Sequence, residues 1–145
     1  MGHRRIARER ALQALYQLDV QGSESSKPHD ALEAAWQAAA EAGEPAPPDE
    51  IRTFAKDLVL GVTTELKALD ALIEQHSHNW RVDRMSRIDR NVLRLGAYEL
   101  KYRPDVPKKV SLNEAVELGK RFGTEESSAF INGLLDKLAQ EIDKP

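Results

Sequence analysis

The sequence predicts an all-α protein whose helices pack as a bundle. Apolar side chains recur at spacings of three and four through residues 88–142, which is the period of an α-helix. Proline and glycine interrupt this pattern at short intervals, so short links join the helices. Because each predicted helix carries one apolar stripe, the stripes can be buried only against one another, as in a helical bundle.

The composition limits the classes of protein to which this chain can belong. Its 145 residues are 41% hydrophobic, which predicts one domain with one sizeable core. No segment has the length and apolarity of a membrane span, and no apolar run follows the basic N-terminus, so neither a membrane protein nor a secretory precursor is expected. The absence of cysteine excludes disulfides and thiolate metal sites. With a net charge of -3, any contact with a polyanion requires a local basic patch.

The N-terminal part of the chain predicts three helices. They cover residues 3–20, 30–42 and 49–73, and the third begins at Asp49, a favourable capping residue. Gly61 lies in the middle of the third helix, where it is expected either to bend the helix or to let a neighbouring helix approach closely. The buried stripe of the first helix is expected to be Ala7, Ala11, Ala14, Leu15 and Leu18.

The first helix opens with a cluster of basic residues. Against the single acid Glu9 stand four arginines: Arg4, Arg5, Arg8 and Arg10. Guanidinium groups bind phosphate in a bidentate manner, and the nearby Gln13 and Tyr16 can hydrogen-bond to or stack on unpaired bases. The alternative is a solvated, frayed terminus. Positive charge at a helix N-terminus opposes the helix dipole, however, so these arginines lower stability unless they have another use.

The C-terminal part of the chain predicts three more helices. The first of them carries an apolar stripe and ends before Pro104, because the residue before a proline is disfavoured in the α conformation. The next is expected to begin at Ser111 with a capping box completed by Glu114, and to end at Gly123. The last is expected to be capped by Thr124. Its predicted core face is Phe130, Ile131, Leu134, Leu135, Leu138 and Ile142.

Arginines and acids alternate where the fourth predicted helix begins. The arginines are Arg81, Arg84, Arg87, Arg90 and Arg94, and they are interleaved with Asp83 and Asp89. Where the chain is helical, spacings of three and four place them in one stripe. Two interpretations remain open: a helix face that is ion-paired with the acids of neighbouring helices, or a second edge that binds a polyanion or a protein.

The sequence predicts no catalytic apparatus, no metal site and no cofactor. His76 and His78 are two residues apart, a spacing that points them to different faces of a helix, and they are interpreted as surface histidines at a helix end. A glycine-rich phosphate loop, a nucleophile elbow and a zinc-binding histidine pair are all missing from the sequence.

Several blocks of the sequence, in the same order and spacing, resemble the NusB family of transcription antitermination factors. They are RRIARE (4–9), ALQALY (11–16), LVLGV (58–62), DRNVLRL (89–95), YEL (98–100), NEAVELGK (113–120), FG (122–123) and FINGLLD (130–136). The similarity spans nearly the whole chain and is weakest between residues 20 and 50. Several blocks in register make this resemblance far more specific than one short motif.

The resemblance implies a compact helical domain of two packed three-helix halves, residues 1–80 and 81–145. It also implies a non-catalytic, cytoplasmic bacterial factor that binds single-stranded boxA RNA in ribosomal RNA transcripts. The factor binds this RNA together with NusE, a ribosomal protein of the small subunit, and the assembly loads onto RNA polymerase to suppress termination. Some relatives self-associate, so a homodimer is left open.

The resemblance also implies roles for particular residues. The expected RNA-binding residues are Arg4, Arg5, Arg8, Tyr16, Lys120 and Phe130. The expected contacts with the protein partner are Tyr16, Asp83 and Asp89. Two alternative functions remain: a helical protein–protein adaptor, and a stand-alone relative of the RNA-binding domain of a ribosomal RNA cytosine methyltransferase.

Overall fold

The computed structural model describes residues 2–22, 27–78 and 80–145, and across these ranges every regular element is helical. The seven α-helices described are α1 (Gly2–Gln21), α2 (Pro28–Glu41), α3 (Asp49–Thr64), α4 (Leu66–Gln75), α5 (Arg87–Tyr102), α6 (Lys108–Phe122) and α7 (Ser127–Ala139). One 3-10 turn, Val82–Arg84, precedes α5. The prediction of an all-α fold is confirmed.

The chain divides into two compact units, Met1–Thr64 and Glu65–Pro145. In the first unit, α1, α2 and α3 pack against one another in pairs. All five residues of the predicted α1 stripe are buried, and its three alanines have no exposed surface. Because alanine is small, α1 can lie close to both of its neighbours. The larger side chains of this core are Leu32, Trp36, Phe54, Leu58 and Val62.

The predicted third helix is divided in the structure. A turn at Glu65 separates α3 from α4, and α4 belongs to the second unit. The second unit therefore contains four α-helices rather than three. The boundary along the chain falls between residues 64 and 65 rather than between residues 80 and 81. Gly61 lies inside α3, so it is not the break. The hydroxyl of Thr63 donates to the carbonyls three and four residues earlier, each at 3.0 Å, and such bonds compete with the backbone ladder.

In the second unit, α5 is the most deeply buried helix. Every residue from 91 to 100 except Arg94 is buried. Two glycines permit the close packing of α7 on this core. A Cβ at Gly96 would lie 2.6 Å from Leu135 Cδ1, and one at Gly119 would lie 2.5 Å from Ile131 Cδ1. These side chains occupy the space that a Cβ would need, so a larger residue at either position has to displace the end of a core side chain.

The predicted capping box at Ser111 is wrong. Helix α6 begins at Lys108, directly after Pro107, so Ser111 lies one turn inside the helix. Its hydroxyl is buried and donates to Oε1 of Glu99 in α5 at 3.0 Å. A capping bond that the sequence reasoning missed is present at α5, where the hydroxyl of Ser86 accepts from an amide in the first turn at 3.1 Å.

The start of α7 also differs from the prediction, whereas the end of α6 agrees with it. Helix α7 begins at Ser127, and Ser127 Oγ accepts from the amide of Thr124 at 2.9 Å, which reverses the expected capping roles. Helix α6 ends at Phe122, and Gly123 is its C-terminal cap as predicted. A side chain is excluded at Gly123, because a Cβ there would lie 2.6 Å from Ser127 Cβ and 2.8 Å from a carbonyl of α6.

Candidate nucleic-acid interface

The arginines at the start of α1 pack on an aromatic ring of α3. The guanidinium carbon of Arg4 lies 4.3 Å from the centroid of the Phe54 ring, and that of Arg8 lies 5.3 Å from the same centroid. Both distances allow cation–π attraction. Arg8 is only 3% exposed, whereas Arg4 is half-buried and Arg5 is exposed. At the basic start of α1, Arg4 and Arg8 therefore pack against α3, whereas Arg5 is exposed to solvent.

Arg10 forms a separate contact on the other side of α1. It makes an ion pair with Glu44, in the connection that follows α2, and donates to Oε1 of Gln13 at 2.9 Å. The residue is buried, and its Nε has no hydrogen-bond partner among the described residues. Arg10 therefore anchors a connecting segment. Sequence reasoning did not assign it to the RNA site.

The outer face of α1 presents polar and aromatic side chains along one line. Tyr16 follows Arg5 by eleven residues, which is close to three full helical turns, so both project from the same side. Tyr16 is 39% exposed, and Gln13 is exposed one turn before it. Ile6 and Val20 are also exposed on this side of the helix. The face thus offers a guanidinium, an amide and a phenol ring, the groups that bind phosphate and unpaired bases.

Phe130 lies at the surface of the second unit rather than in its core. It is half-buried, so its placement on the core face of the last helix was wrong. Its ring centroid lies 6.3 Å from that of Trp80, and the two ring planes are tilted by 55°. Trp80 is 56% exposed. Sequence reasoning missed Trp80, although a tryptophan within an otherwise polar segment was the available signal.

Lys120 is exposed in the last turn of α6, beside Arg121. Cations at this end of a helix are stabilised by the helix dipole, so Lys120 has a structural use as well as its predicted RNA contact. The Arg121 guanidinium lies 5.5 Å from the centroid of the exposed Phe122 ring. The end of α6 therefore presents two positive charges and one aromatic ring.

The arginine ladder contains one partly buried ion pair and one exposed ion pair. Arg94 forms a bidentate ion pair with Asp70 at 2.8 and 3.0 Å, which joins α5 to α4. Arg81 pairs with Asp83 at 2.8 Å, and both side chains are largely exposed. Asp89 is half-buried, and its Oδ1 has no hydrogen-bond partner among the described residues. Asp83 is thus the more accessible of the two acids expected at the partner surface.

Two histidines near the C-terminus of α4 are held by side chains from the end of the chain. His76 Nδ1 lies 2.9 Å from the carbonyl of Leu72, and Nε2 lies 2.6 Å from the carboxylate of Glu141. The bond to the Leu72 carbonyl and, secondarily, that to Glu141 raise the pKa of His76 above its ordinary value, against the opposing effect of burial. His78 Nε2 lies 2.8 Å from Lys137 Nζ.

The described residues contain neither a cluster of three or more histidines, cysteines or acids that could hold a metal ion nor a helix that could cross a membrane.

Comparisons with known proteins agree on one family. The model described as "NusB family" matches residues 5–140 of the chain. The transcription antitermination protein NusB of Myxococcus xanthus is 62% identical over 145 residues, with full coverage of both chains. A solved T. maritima NusB structure aligns with a TM-score of 0.84 and 33% identity, covering 96% of this chain and 92% of that one. A crystal structure of the antitermination factors NusB and NusE in complex with double-stranded RNA aligns with a TM-score of 0.80 and 26% identity, covering 97% and 98%.

Proposed function

The chain belongs to the NusB family, and on that premise we propose that it is a non-catalytic transcription antitermination factor of the bacterial cytoplasm. It binds the single-stranded boxA element of ribosomal RNA transcripts together with NusE, and the assembly acts on RNA polymerase. The names of the relatives and the solved complex of a NusB with NusE and RNA support this proposal.

The observation that carries the proposal is the packing of the basic start of α1 against the Phe54 ring. Arginine near a helix N-terminus interacts unfavourably with the helix dipole, which lowers the stability of the helix. In this chain an aromatic ring of α3 holds two of these arginines by cation–π contacts. Arg5 and Tyr16 then lie on the exposed side of the helix and contact the RNA directly. Arg4 and Arg8 position the helix start through Phe54 and add positive charge near the phosphates.

The remaining predicted contacts keep their roles as proposals. Phe130 and Lys120 contact RNA from the second unit, where both are accessible. Tyr16 and the acids Asp83 and Asp89 contact NusE. Of these acids, Asp83 makes the larger contribution because it is exposed, whereas Asp89 is half-buried at the start of α5.

A fluorescence-anisotropy titration with a short boxA-like RNA tests this proposal. The samples are the wild-type protein alone, the same protein with NusE, Arg5→Ala, and Lys56→Ala as the control. Lys56 is exposed two residues beyond Phe54, a spacing that points it to the opposite side of α3, and its removal lowers the net charge by the same amount.

The expected result is tighter RNA binding with NusE, weaker binding at higher salt, and a roughly tenfold loss in Arg5→Ala at moderate salt. Lys56→Ala should bind RNA nearly as well as the wild type. Equal losses in the two variants would mean that net charge rather than the α1 face governs binding. Failure of every sample to bind RNA while NusE still binds would favour a protein–protein adaptor.

A further inference from the structure

The proposed function leaves one large side chain of the second unit without a role. Trp80 is 56% exposed between α4 and the 3-10 turn, although burial of an indole ring is favourable. Its only described ring contact is the tilted pairing with Phe130. Because Phe130 is itself half-buried, the two rings form a small aromatic surface that solvent reaches.

The backbone that carries Trp80 is fixed by hydrogen bonds. Its carbonyl accepts from the buried hydroxyl of Ser77 at 2.6 Å, and its amide donates to the Ser77 carbonyl at 3.1 Å. His78 adopts the left-handed conformation with φ of 51°, which is uncommon for a residue other than glycine. On the other side, the amide of Val82 donates to Glu74 Oε2 at 2.8 Å. The backbone of Trp80 itself is therefore held by two hydrogen bonds to Ser77, so little entropy is lost at Trp80 when the indole binds a ligand.

Helix α7 has one face, next to this aromatic pair, on which a glycine leaves the backbone uncovered. Phe130, Gly133 and Lys137 follow one another at spacings of three and four, so they share one face of the helix. Gly133 is exposed, and apart from its own helical turn no atom of the described residues lies within 4 Å of the position that a Cβ would take. At Gly96 and Gly119, by contrast, neighbouring side chains fill that space.

Packing among the described residues therefore gives no reason for a glycine at position 133, and glycine in a helix interior lowers stability relative to alanine. A close approach by something outside the chain would supply a reason. The space that a side chain would take at Gly133 is open among the described residues, on the helix face that also carries Phe130.

Lys137 places a positive charge at the end of the same helix face. Lys137 Nζ lies 2.8 Å from His78 Nε2, which holds the ammonium group beside the segment that carries Trp80. Arg81 follows Trp80 in the chain. Two acids near this surface have basic partners, since Asp83 pairs with Arg81 and Glu141 pairs with His76. Glu74 instead accepts from the amide of Val82, and the exposed Asp136 lies next to Lys137 in α7.

We propose that Trp80, Phe130, Gly133 and Lys137 form an aromatic platform that stacks one unpaired nucleobase of the bound RNA. Lys137 binds the adjacent phosphate, and the missing side chain at Gly133 lets the nucleotide approach the helix. Aromatic rings accept any base by stacking, and cations beside them take the backbone charge. The apolar area is limited to two rings, which is small for the core of a protein–protein interface. This inference rests on the proposed function.

Anisotropy titrations of four platform variants test the proposal in the presence of NusE. Trp80→Ala should bind the boxA-like RNA roughly 5- to 150-fold more weakly, the range for loss of one stacked base. Trp80→Phe should bind RNA with an affinity between those of Trp80→Ala and the wild type, because it keeps a ring. Lys137→Gln should reduce the slope of log affinity against log salt by about 0.7, and the exposed Lys109→Gln is its charge-matched control.

Gly133→Ala is the sharpest of these variants because its two effects have opposite signs. The added methyl group should raise the thermal unfolding midpoint, since the helix gains a better helix former with no clash against the described residues. The same methyl group should weaken RNA binding by obstructing the platform. A purely structural role for this helix face predicts no loss of RNA affinity.

Tryptophan fluorescence gives a direct reading of stacking. The chain has two tryptophans, and Trp36 is buried in the first unit. The variant Trp36→Phe leaves Trp80 as the single tryptophan of the chain, and circular dichroism shows whether the variant is folded. RNA should quench the emission of Trp80, and an abasic nucleotide at the stacked position should abolish the quenching. That same abasic RNA should bind Trp80→Ala and the wild type equally.

The alternative outcomes are distinguishable. If Trp80→Ala and Gly133→Ala bind RNA like the wild type while Arg5→Ala does not, the platform is refuted and the proposed function stands. If Trp80→Ala weakens the binding of NusE without RNA and leaves RNA affinity unchanged, the surface belongs to the protein partner and the platform is again refuted. If the wild type binds no RNA even with NusE, the proposed function and the platform fall together.

Discussion

Phe54→Leu should both destabilise the first unit and weaken RNA binding, because Phe54 holds the basic start of α1. The side chain is 3% exposed, and leucine retains most of its apolar volume while removing the aromatic face. Two guanidinium groups lie over that face, at 4.3 and 5.3 Å from its centroid. The substitution therefore isolates the attraction between the ring and the cations better than Phe54→Ala, which would also open a cavity.

The structure indicates the size of the effect. A cation–π contact contributes about 0.5–1 kcal/mol at an exposed site and about 2 kcal/mol when desolvated. Arg4 is half-buried and Arg8 is 3% exposed, so the first contact belongs to the lower range and the second to the upper. We expect the free energy of unfolding to fall by about 2–3 kcal/mol from these two contacts, and by up to about 1.5 kcal/mol more from imperfect repacking.

Urea unfolding of a double-mutant cycle measures the larger contact. The cycle combines Phe54→Leu with Arg8→Met, which keeps the length of the side chain but removes its charge. We expect a coupling energy of about 1–2 kcal/mol. Arg52→Met serves as a comparison for a more exposed cation–π contact. The Arg52 guanidinium lies 5.2 Å from the centroid of the Trp36 ring, and the Arg52 side chain is 38% exposed. A coupling at Arg8 no larger than about 0.3 kcal/mol would be within the additivity error and would refute the argument.

Two further predictions concern the second unit. The raised pKa of His76, due first to its bond with the Leu72 carbonyl and then to Glu141, makes its protonation stabilising. That stability should be fully present below the ordinary pKa of 6.5 and be lost as pH rises through the raised pKa, and urea unfolding of His76→Asn between pH 5.5 and 8.5 should lack this dependence. An unchanged pH profile in the variant would contradict the assignment. Gly119→Ala should lower the free energy of unfolding by about 1–3 kcal/mol through overpacking against Ile131, and a thermal melt equal to that of the wild type would contradict this by showing that the Ile131 side chain shifts to accommodate the methyl group.

The sequence alone determined the helical class and the approximate extent of most helices. Periodicity of the apolar residues is a local property, and the bundle buries those stripes much as the spacing predicts. Position-specific signals were less reliable. Ser111 has the residue type and spacing of a capping box, yet Pro107 starts the helix one turn earlier and Glu99 takes its hydroxyl. Capping depends on where a helix begins, and a neighbouring helix contributes to that choice.

The candidate site shows the same division. The cluster of arginines and its resemblance to the NusB family were visible in the sequence, because charge and spacing are written there. Only the tertiary structure separated their environments, since exposure depends on what other helices place nearby: Arg8 is buried beside Phe54, whereas Arg5 remains exposed. It also brought Trp80 beside Phe130, fifty residues later in the chain. Sequence patterns report which groups are present, and packing decides which of them solvent and a ligand can reach.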